Sequence, residues 1–282
     1  MRDFSVGVML ESFRTDVKTA VEHARGLSAD GLQIYASRGE YSHENATPAK
    51  FRELLSLVKS NGMVFSAVCG DFQTGFGNKK ENITLIEQSK RVIEIAKYLE
   101  TDIITTHIGV IPQDSAHDRY EIMLEACCEL AEYAKSMDAC YAIETGPETA
   151  EVLKAFLDKV NSKGLMVNFD PANLVMVTGD NPVRAVYTLR DYIVHTHAKD
   201  GRKLRDCDPE VVYRVVEATI EEGRDFIELP LGEGDVNFSK YLEALTDIGY
   251  NGFLTIEREV GENPVSDIKK ATDYLRGLTK SR

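Results

Sequence analysis

No apolar segment of the chain approaches the ~20 residues that a membrane-spanning helix requires, and no low-complexity run interrupts its 282 residues. The opening residues hold too short an apolar stretch before Glu11 for a secretory signal, so the expected location is cytoplasmic. The five cysteines, Cys69, Cys127, Cys128, Cys140 and Cys207, are odd in number and nowhere spaced C-x-x-C. They suggest neither a disulfide framework nor a cysteine zinc site and read as reduced and structural. Lys and Arg form no long block, and the formal net charge is -13. The average field therefore repels nucleic acid and anionic membranes, which argues against both as partners. A linker rich in Pro, Gly or Ser is missing too, so residues 1–282 read as one domain. With 43% hydrophobic and 28% charged residues, what is left is a soluble globular chain with room for a large core. A homo-oligomer is left open.

What the chain does have is alternation: β-rich runs and helical patterns take turns along its whole length, as repeated βα units of a parallel sheet do. Residues 4–9 are followed by a helix near 16–27, and 31–36 by one at 48–60, with Thr47 as cap and Pro48 in the first turn. Residues 63–69 precede a helix near 80–99, and 102–107 one at 119–136, both with apolar positions at helical spacing. Strands at 139–144 and 165–170 lead to helices near 149–159 and 182–189. The seventh strand lies in Ile193-Val-His195-Thr-His197-Ala-Lys199-Asp200-Gly201, and the eighth, 252–257, is closed by a helix near 264–277. Between these two an insertion of about 50 residues carries a helix near 209–222, the run 226–231, a Gly-Glu-Gly turn and a helix near 238–248. Pro230 argues against the run 226–231 as a central strand. Eight βα units, with no G-x-G-x-x-G loop after the first strand, favour a closed (β/α)8 TIM barrel with a helical insertion over an open doubly wound sheet.

Barrels of this kind carry their chemistry at the C-terminal strand ends. The period of two puts Cys140, Ala142 and Glu144 on one face of the fifth strand, and Met166, Asn168 and Asp170 on one face of the sixth. Ile193, His195 and His197 share a face of the seventh, Phe253, Thr255 and Glu257 of the eighth, and Ile103, Thr105 and His107 of the fourth. The opposite faces are mainly apolar and suit packing against helices. Four successive strands thus end in Glu144, Asp170, a histidine and Glu257. Three carboxylates facing one another repel unless protonated or held by a cation, and an imidazole completes an oxygen and nitrogen shell for a divalent ion. Taken singly, each acid is as well explained as a helix cap or an ion-pair partner; the shared phase on consecutive strands is what argues for a site. Two histidines point the same way, and this reading alone leaves either as the ligand.

The run His197-Ala-Lys199-Asp200, the segment Asp170-Pro-Ala-Asn173-Leu174, Leu231-Gly-Glu-Gly-Asp235 and Gly249-Tyr-Asn-Gly-Phe-Leu-Thr-Ile-Glu257 resemble those of the xylose isomerase-like barrels, the sugar phosphate isomerase and epimerase group. The resemblance covers nearly the whole chain. It implies that Glu144, Asp170, His197 and Glu257 bind one divalent ion, with Mn2+ or Mg2+ favoured and Co2+ or Zn2+ compatible with the imidazole. His197 is then the ligand, and His195, one pleat deeper, supports it through a hydrogen bond. His107, Lys199, Asn173 and Arg202 are the expected substrate contacts, with Gln33 and Glu148 as further selectors. The bland readings are a barrel-mouth cap for His107, a surface pair with Asp200 for Lys199 and a plain turn for Gly232-Glu-Gly234, which otherwise cradles a phosphate. Asp235 and Asn237 read as caps of the following helix, and Glu228, on a run outside the barrel, as a decoy.

The implied activity is isomerisation or epimerisation of a sugar or sugar phosphate, by proton abstraction next to a carbonyl through a metal-stabilised enediolate, with Glu144 and Glu257 as the acid/base pair. A keto-sugar or inosose dehydratase uses the same first step. A non-catalytic sugar-binding barrel and a DNA-repair endonuclease of the apurinic type are further alternatives. The last needs additional histidines, yet Asn173 stands where one is expected and the loop 232–235 offers none. Metal analysis of the purified protein separates the classes: one ion per chain is expected for sugar chemistry, and three per chain would instead indicate the endonuclease.

Overall fold

Runs rich in β-branched residues form the strands, and short polar side chains start most of the helices between them. The protein, seen in a computed structural model that describes residues 4–216 and 225–280, opens with β1 (Ser5–Met9), α1 (Val17–Gly26), β2 (Gly31–Tyr35) and α2 (Pro48–Ser60). Asp16 and Thr47 cap these two helices through the backbone N–H groups of Thr19 and Lys50. There follow β3 (Val64–Cys69), α3 (Lys79–Tyr98), β4 (Ile103–Thr106), α4 (Asp118–Ser136), β5 (Cys140–Glu144) and α5 (Ala150–Val160). After β6 (Leu165–Phe169) the chain makes a short helix, α6 (Pro171–Asn173), and a π-helical turn at Leu174–Thr178, neither expected from the sequence. Then come α7 (Pro182–Thr188) and β7 (Ile193–Ala198).

The insertion holds β8 (Asp200–Lys203), α8 (Pro209–Val212), β9 (Phe226–Leu229) and α9 (Phe238–Asp247), and the chain closes with β10 (Phe253–Ile256) and α10 (Pro264–Lys280). Eight strands form a closed barrel in the order β1-β10-β7-β6-β5-β4-β3-β2, each pairing parallel to its neighbours. β8 and β9 pair antiparallel outside it, with Asp200 opposite Leu229. The run 226–231 is therefore a strand, though not a barrel strand, and Pro230 follows its end. Over its described residues, 209–216, the expected helix is reduced to α8; β-branched Val211, Val212, Val215 and Val216 disfavour it, and Arg214 takes a left-handed φ of 57°. Residues 217–222 of that expectation lie outside the described residues. No described helix is long and apolar enough to cross a membrane.

The interior of the barrel is a polar ladder. Gln33, Ser66, Thr105, Asn168, His195 and Thr255 are all buried and joined by hydrogen bonds across strands: Gln33 Nε2 donates to Thr105 Oγ1 at 2.8 Å, and Ser66 and Thr255 hydroxyls meet at 3.3 Å. The apolar core lies between strands and helices, around residues such as Val6, Leu32, Ile104, Phe156 and Leu254. A register shift between β6 and β7 pairs Val167 with Ile193 but Asn168 with His195. One residue is skipped, which brings the Asn168 and His195 faces into phase.

Asp200 ties the insertion to the barrel. Its Oδ1 accepts the backbone N–H groups of Gly201 at 2.9 Å and Val236 at 3.1 Å, and its Oδ2 those of Gly232 at 2.9 Å and Gly234 at 3.1 Å. A β-carbon on Gly234 would collide with the carboxylate, so only glycine permits this approach. Asp200→Ala leaves these donors without their acceptor, and it is expected to lower the unfolding free energy by roughly 3 kcal/mol. Urea unfolding monitored by circular dichroism checks this; a loss below ~1 kcal/mol would show that water or the loop itself replaces the carboxylate.

Candidate metal centre

The ends of β5, β6, β7 and β10 bring Glu144, Asp170, His197 and Glu257 together at the barrel mouth. All four are buried, and each offers one ligand atom within 4.8 Å of the others. His197 Nδ1 lies 3.4 Å from Glu144 Oε1, 3.5 Å from Asp170 Oδ2 and 3.4 Å from Glu257 Oε2. Among the described residues this is the one group with metal-ligand spacing.

The surrounding hydrogen bonds orient each member. Gln33 spends its amide N–H on Thr105, so its Oε1 accepts from His197 Nε2 at 3.1 Å, and His197 Nδ1 faces the three carboxylates, with Asn168 Nδ2 3.4 Å away. Asp170 divides its oxygens: Oδ1 caps α6 through the N–H groups of Ala172 and Asn173, at 2.8 and 2.9 Å, whereas Oδ2 is buried without a hydrogen-bond partner. The cap reading and the ligand reading of this acid thus hold for different atoms. Thr145 and Asp170 lock the ends of β5 and β6 together by two hydrogen bonds of 2.8 Å. Glu144 accepts from Asn173 Nδ2 at 2.9 Å and Asn168 Nδ2 at 3.2 Å. Glu257 Oε2 accepts from Lys199 Nζ at 3.1 Å.

An orphaned carboxylate oxygen, an imidazole nitrogen facing it and two more carboxylates form a donor set that fits a hard divalent cation. Burial lowers the proton affinity of His197, but Glu144, Glu257 and Asp170 overcome it and raise its pKa well above the usual value. Glu257, despite burial, is held well below the usual carboxylate range by Lys199 and His197. His195 differs in kind. Its Nδ1 donates to Asn168 Oδ1 at 2.8 Å, its Nε2 accepts from Thr255 Oγ1 at 2.9 Å, and burial together with His197 presses its pKa down, so it is neutral.

Above the cluster opens a cavity of about 700 Å3 whose wall includes Glu144, Glu257, His107, Lys199 and Asn173. His107 is clamped with Nδ1 3.4 Å from Asp71 Oδ2 and Nε2 3.8 Å from Glu144 Oε1; Nε2 has no hydrogen-bond partner. Burial opposes its charge, yet Glu144 and Asp71 carry its pKa up to about 9. Lys199 pairs with Glu257 and Glu259, and Glu228 Oε2 stands 4.0 Å away; Asp200 is not its partner. Glu228, set aside in the sequence, is buried in the cavity wall and bonds Arg258 Nη1 at 2.6 Å. Arg202 does not line the cavity: half exposed, it pairs with Asp235 at 2.9 Å. Asn237 caps α9, whereas Asp235 serves Arg202. Gln33 faces His197 and not the cavity.

Sequence reasoning missed Asp71 and Tyr213. Asp71 lies two residues past Cys69, the last residue of β3, and the strand-end count applied to that strand reaches it. Tyr213, just after α8, places its ring 5.0 Å from that of His107; nothing in its local pattern marks it.

A family model described as xylose isomerase-like TIM barrel matches residues 21–278. An uncharacterized protein, MJ1311 of Methanocaldococcus jannaschii, is 26% identical over 280 residues, which span 94% of this chain and 85% of the relative. Inosose dehydratase of Lacticaseibacillus casei is 26% identical over 134 residues, 46% of this chain and 44% of the dehydratase. Among solved structures, a xylose isomerase domain protein from Planctomyces limnophilus superposes with a TM-score of 0.79 at 25% identity, covering 99% of this chain and 96% of the other. The fold is also shared with a D-tagatose 3-epimerase-like protein, at TM-score 0.74 and 23% identity over 98% of both chains. It is shared too with a probable 3-DHS dehydratase, AsbF of Bacillus anthracis, at 0.76 and 19% identity over 97% of this chain and 99% of that one.

Glu148, expected among the substrate selectors, is buried outside the cavity wall. Its Oε2 accepts from Ile111 N at 3.2 Å and its Oε1 has no partner. Burial raises its pKa from 4.5 to about 8, against the pull of the Ile111 N–H and His107. The folded state therefore keeps a proton that the unfolded chain releases, and stability falls as pH rises from about 4.5 to about 8. Glu148→Gln is expected to remove this loss: its stabilisation over wild type should be negligible near pH 4.5, grow with pH and level off above pH 8. Chemical unfolding across that range checks it, and a pH-independent difference would contradict it.

Proposed function

The chain belongs to the xylose isomerase-like TIM barrel family, and we propose that it is a divalent-metal-dependent enzyme that moves a proton at the carbon beside the carbonyl of a sugar or sugar phosphate. The observation that carries this reading is the convergence of Glu144, Asp170, His197 and Glu257 on one buried point, with Asp170 Oδ2 unpartnered. A divalent ion held by these side chains would supply the positive charge that stabilises oxygens as they become negative. Mn2+ or Mg2+ suits the oxygen-rich set best, and the site is assigned one ion.

The residues divide the remaining work. Glu144 and Glu257 stand on barrel strands three apart, so their carboxylates reach a molecule in the cavity from different sides. One takes the proton from carbon and the other returns one: to the opposite face of the same carbon for epimerisation, or to the neighbouring carbon for isomerisation, in which the hydroxyl proton also passes to the former carbonyl oxygen. Asn168 and Asn173 hold Glu144 in place, and Lys199 holds Glu257. His107, Lys199 and Asn173 line the cavity wall, which supports a role in binding substrate oxygens.

A second reading, loss of a β-hydroxyl after the same proton abstraction, is favoured by the inosose dehydratase relatives. In this reading His107, held by Asp71 with Nε2 facing Glu144 across 3.8 Å, would protonate the departing hydroxyl. A panel of ketoses, aldoses, their phosphates and keto-inositols in D2O with added metal distinguishes the outcomes. Deuterium beside the carbonyl without loss of water is expected; loss of water would select the dehydratase. Glu144→Gln and Glu257→Gln are each expected to lower turnover by ~10^2 to 10^4-fold with an unchanged circular dichroism spectrum. Full activity in either variant would sink the acid/base assignment.

A further inference from the structure

Phosphate groups on TIM-barrel substrates are commonly bound by the loops after the seventh and eighth strands, through backbone N–H groups and cationic side chains. Here most strong donors of the described part of that region are already matched from within. The N–H groups of Gly201, Gly232, Gly234 and Val236 converge on one anion, the Asp200 carboxylate. The nest is formed and filled by the protein itself.

Most of the described cations are matched too. Lys199 faces Glu257, Glu259 and Glu228, and Arg258 bonds Glu228 at 2.6 Å and Asp267 at 3.0 Å. On the insertion, Arg202 pairs with Asp235, Lys203 with Asp206 and Arg205 with Asp225. The arginines on the cavity wall itself are Arg38 and Arg214, both exposed. Arg38 lies over the Tyr35 ring at 3.9 Å and faces the charge of Asp71. Against them stand Asp71, Asp225, Glu228 and Glu259, besides the acids of the metal centre. A phosphate dianion in this cavity would meet carboxylates where it needs donors, and each such pair is repulsive in a partly desolvated site. Hydroxyl groups meet the opposite situation: carboxylates accept their hydrogen bonds strongly, and Tyr213 and Phe226 on the same wall offer apolar faces to a sugar ring.

We infer that the cavity takes an uncharged polyhydroxylated ketone in preference to its phosphate ester, with Glu259 at the rim as a specificity-determining carboxylate. This rests on the enolisation reading for the site but is tested apart from it. The probes are D-fructose and D-tagatose, each paired with its 6-phosphate, added at low salt to the Mn2+-loaded protein. Dissociation constants are read by calorimetry and proton exchange by deuterium incorporation. Each free ketose is expected to bind ~10-fold or more tightly than its ester. Glu259→Lys, a change at an exposed side chain, should erase or reverse that ratio, and Glu259→Gln should fall between. Tighter binding of the esters by wild type, a ratio unmoved by Glu259→Lys, or no binding of either free ketose would overturn the inference. Binding of the free ketoses without deuterium exchange would support it while removing the enolisation reading.

Discussion

Three buried carboxylates that meet at one imidazole nitrogen set the terms for the rest of this structure. Like charges about 4 Å apart repel by roughly 4 kcal/mol per pair at an effective dielectric of 20, and burial removes the water that would screen them. A positive charge at their centre offsets that repulsion, and a divalent ion would supply it without using a proton. The side chains below are arranged to leave that centre open. Gln33 takes the far nitrogen of His197, α6 takes one oxygen of Asp170, and His197 Nδ1 and Asp170 Oδ2 face each other at the centre.

The polar interior follows from the same demand. A barrel filled with branched apolar residues would pack well but could not fix the tautomer of a histidine or the rotation of a carboxylate. Asn168 does both at once: its amide nitrogen donates to Glu144 while its oxygen accepts from His195, and His195 passes the chain on to Thr255. Each of these buried groups is matched, which is what makes a polar core tolerable. Strand register decides whether the matching works, and the skipped residue between β6 and β7 is the point at which the backbone is adjusted to suit it.

The insertion then shapes the mouth. Asp200, immediately after Lys199, draws the 232–236 loop onto the barrel, and β9 brings Glu228 against Arg258. Lys199 is fixed between carboxylates from β10 and its following loop, so its charge serves Glu257 before it serves a ligand. The result is a cavity whose floor could hold a cation and whose described rim is furnished with acceptors.

The succession of βα units, the closed barrel and the grouping of Glu144, Asp170, His197 and Glu257 were legible in the sequence. Alternation along a strand is a local property, and four strands ending in the same phase point their last side chains to the same place. The family resemblance separated His197 from His195. Other features depended on contacts between residues far apart in the chain: the split duty of Asp170, the service of Gln33 to His197, the partners of Lys199 and Glu228, and the filling of the glycine-rich turn by Asp200. Arg202 shows the limit, since a strand position gives a direction but not the competitor, here Asp235, that claims the side chain. Periodicity determined which residues face inward; only the closed tertiary structure decided which of their atoms are spent on one another and which remain for a ligand.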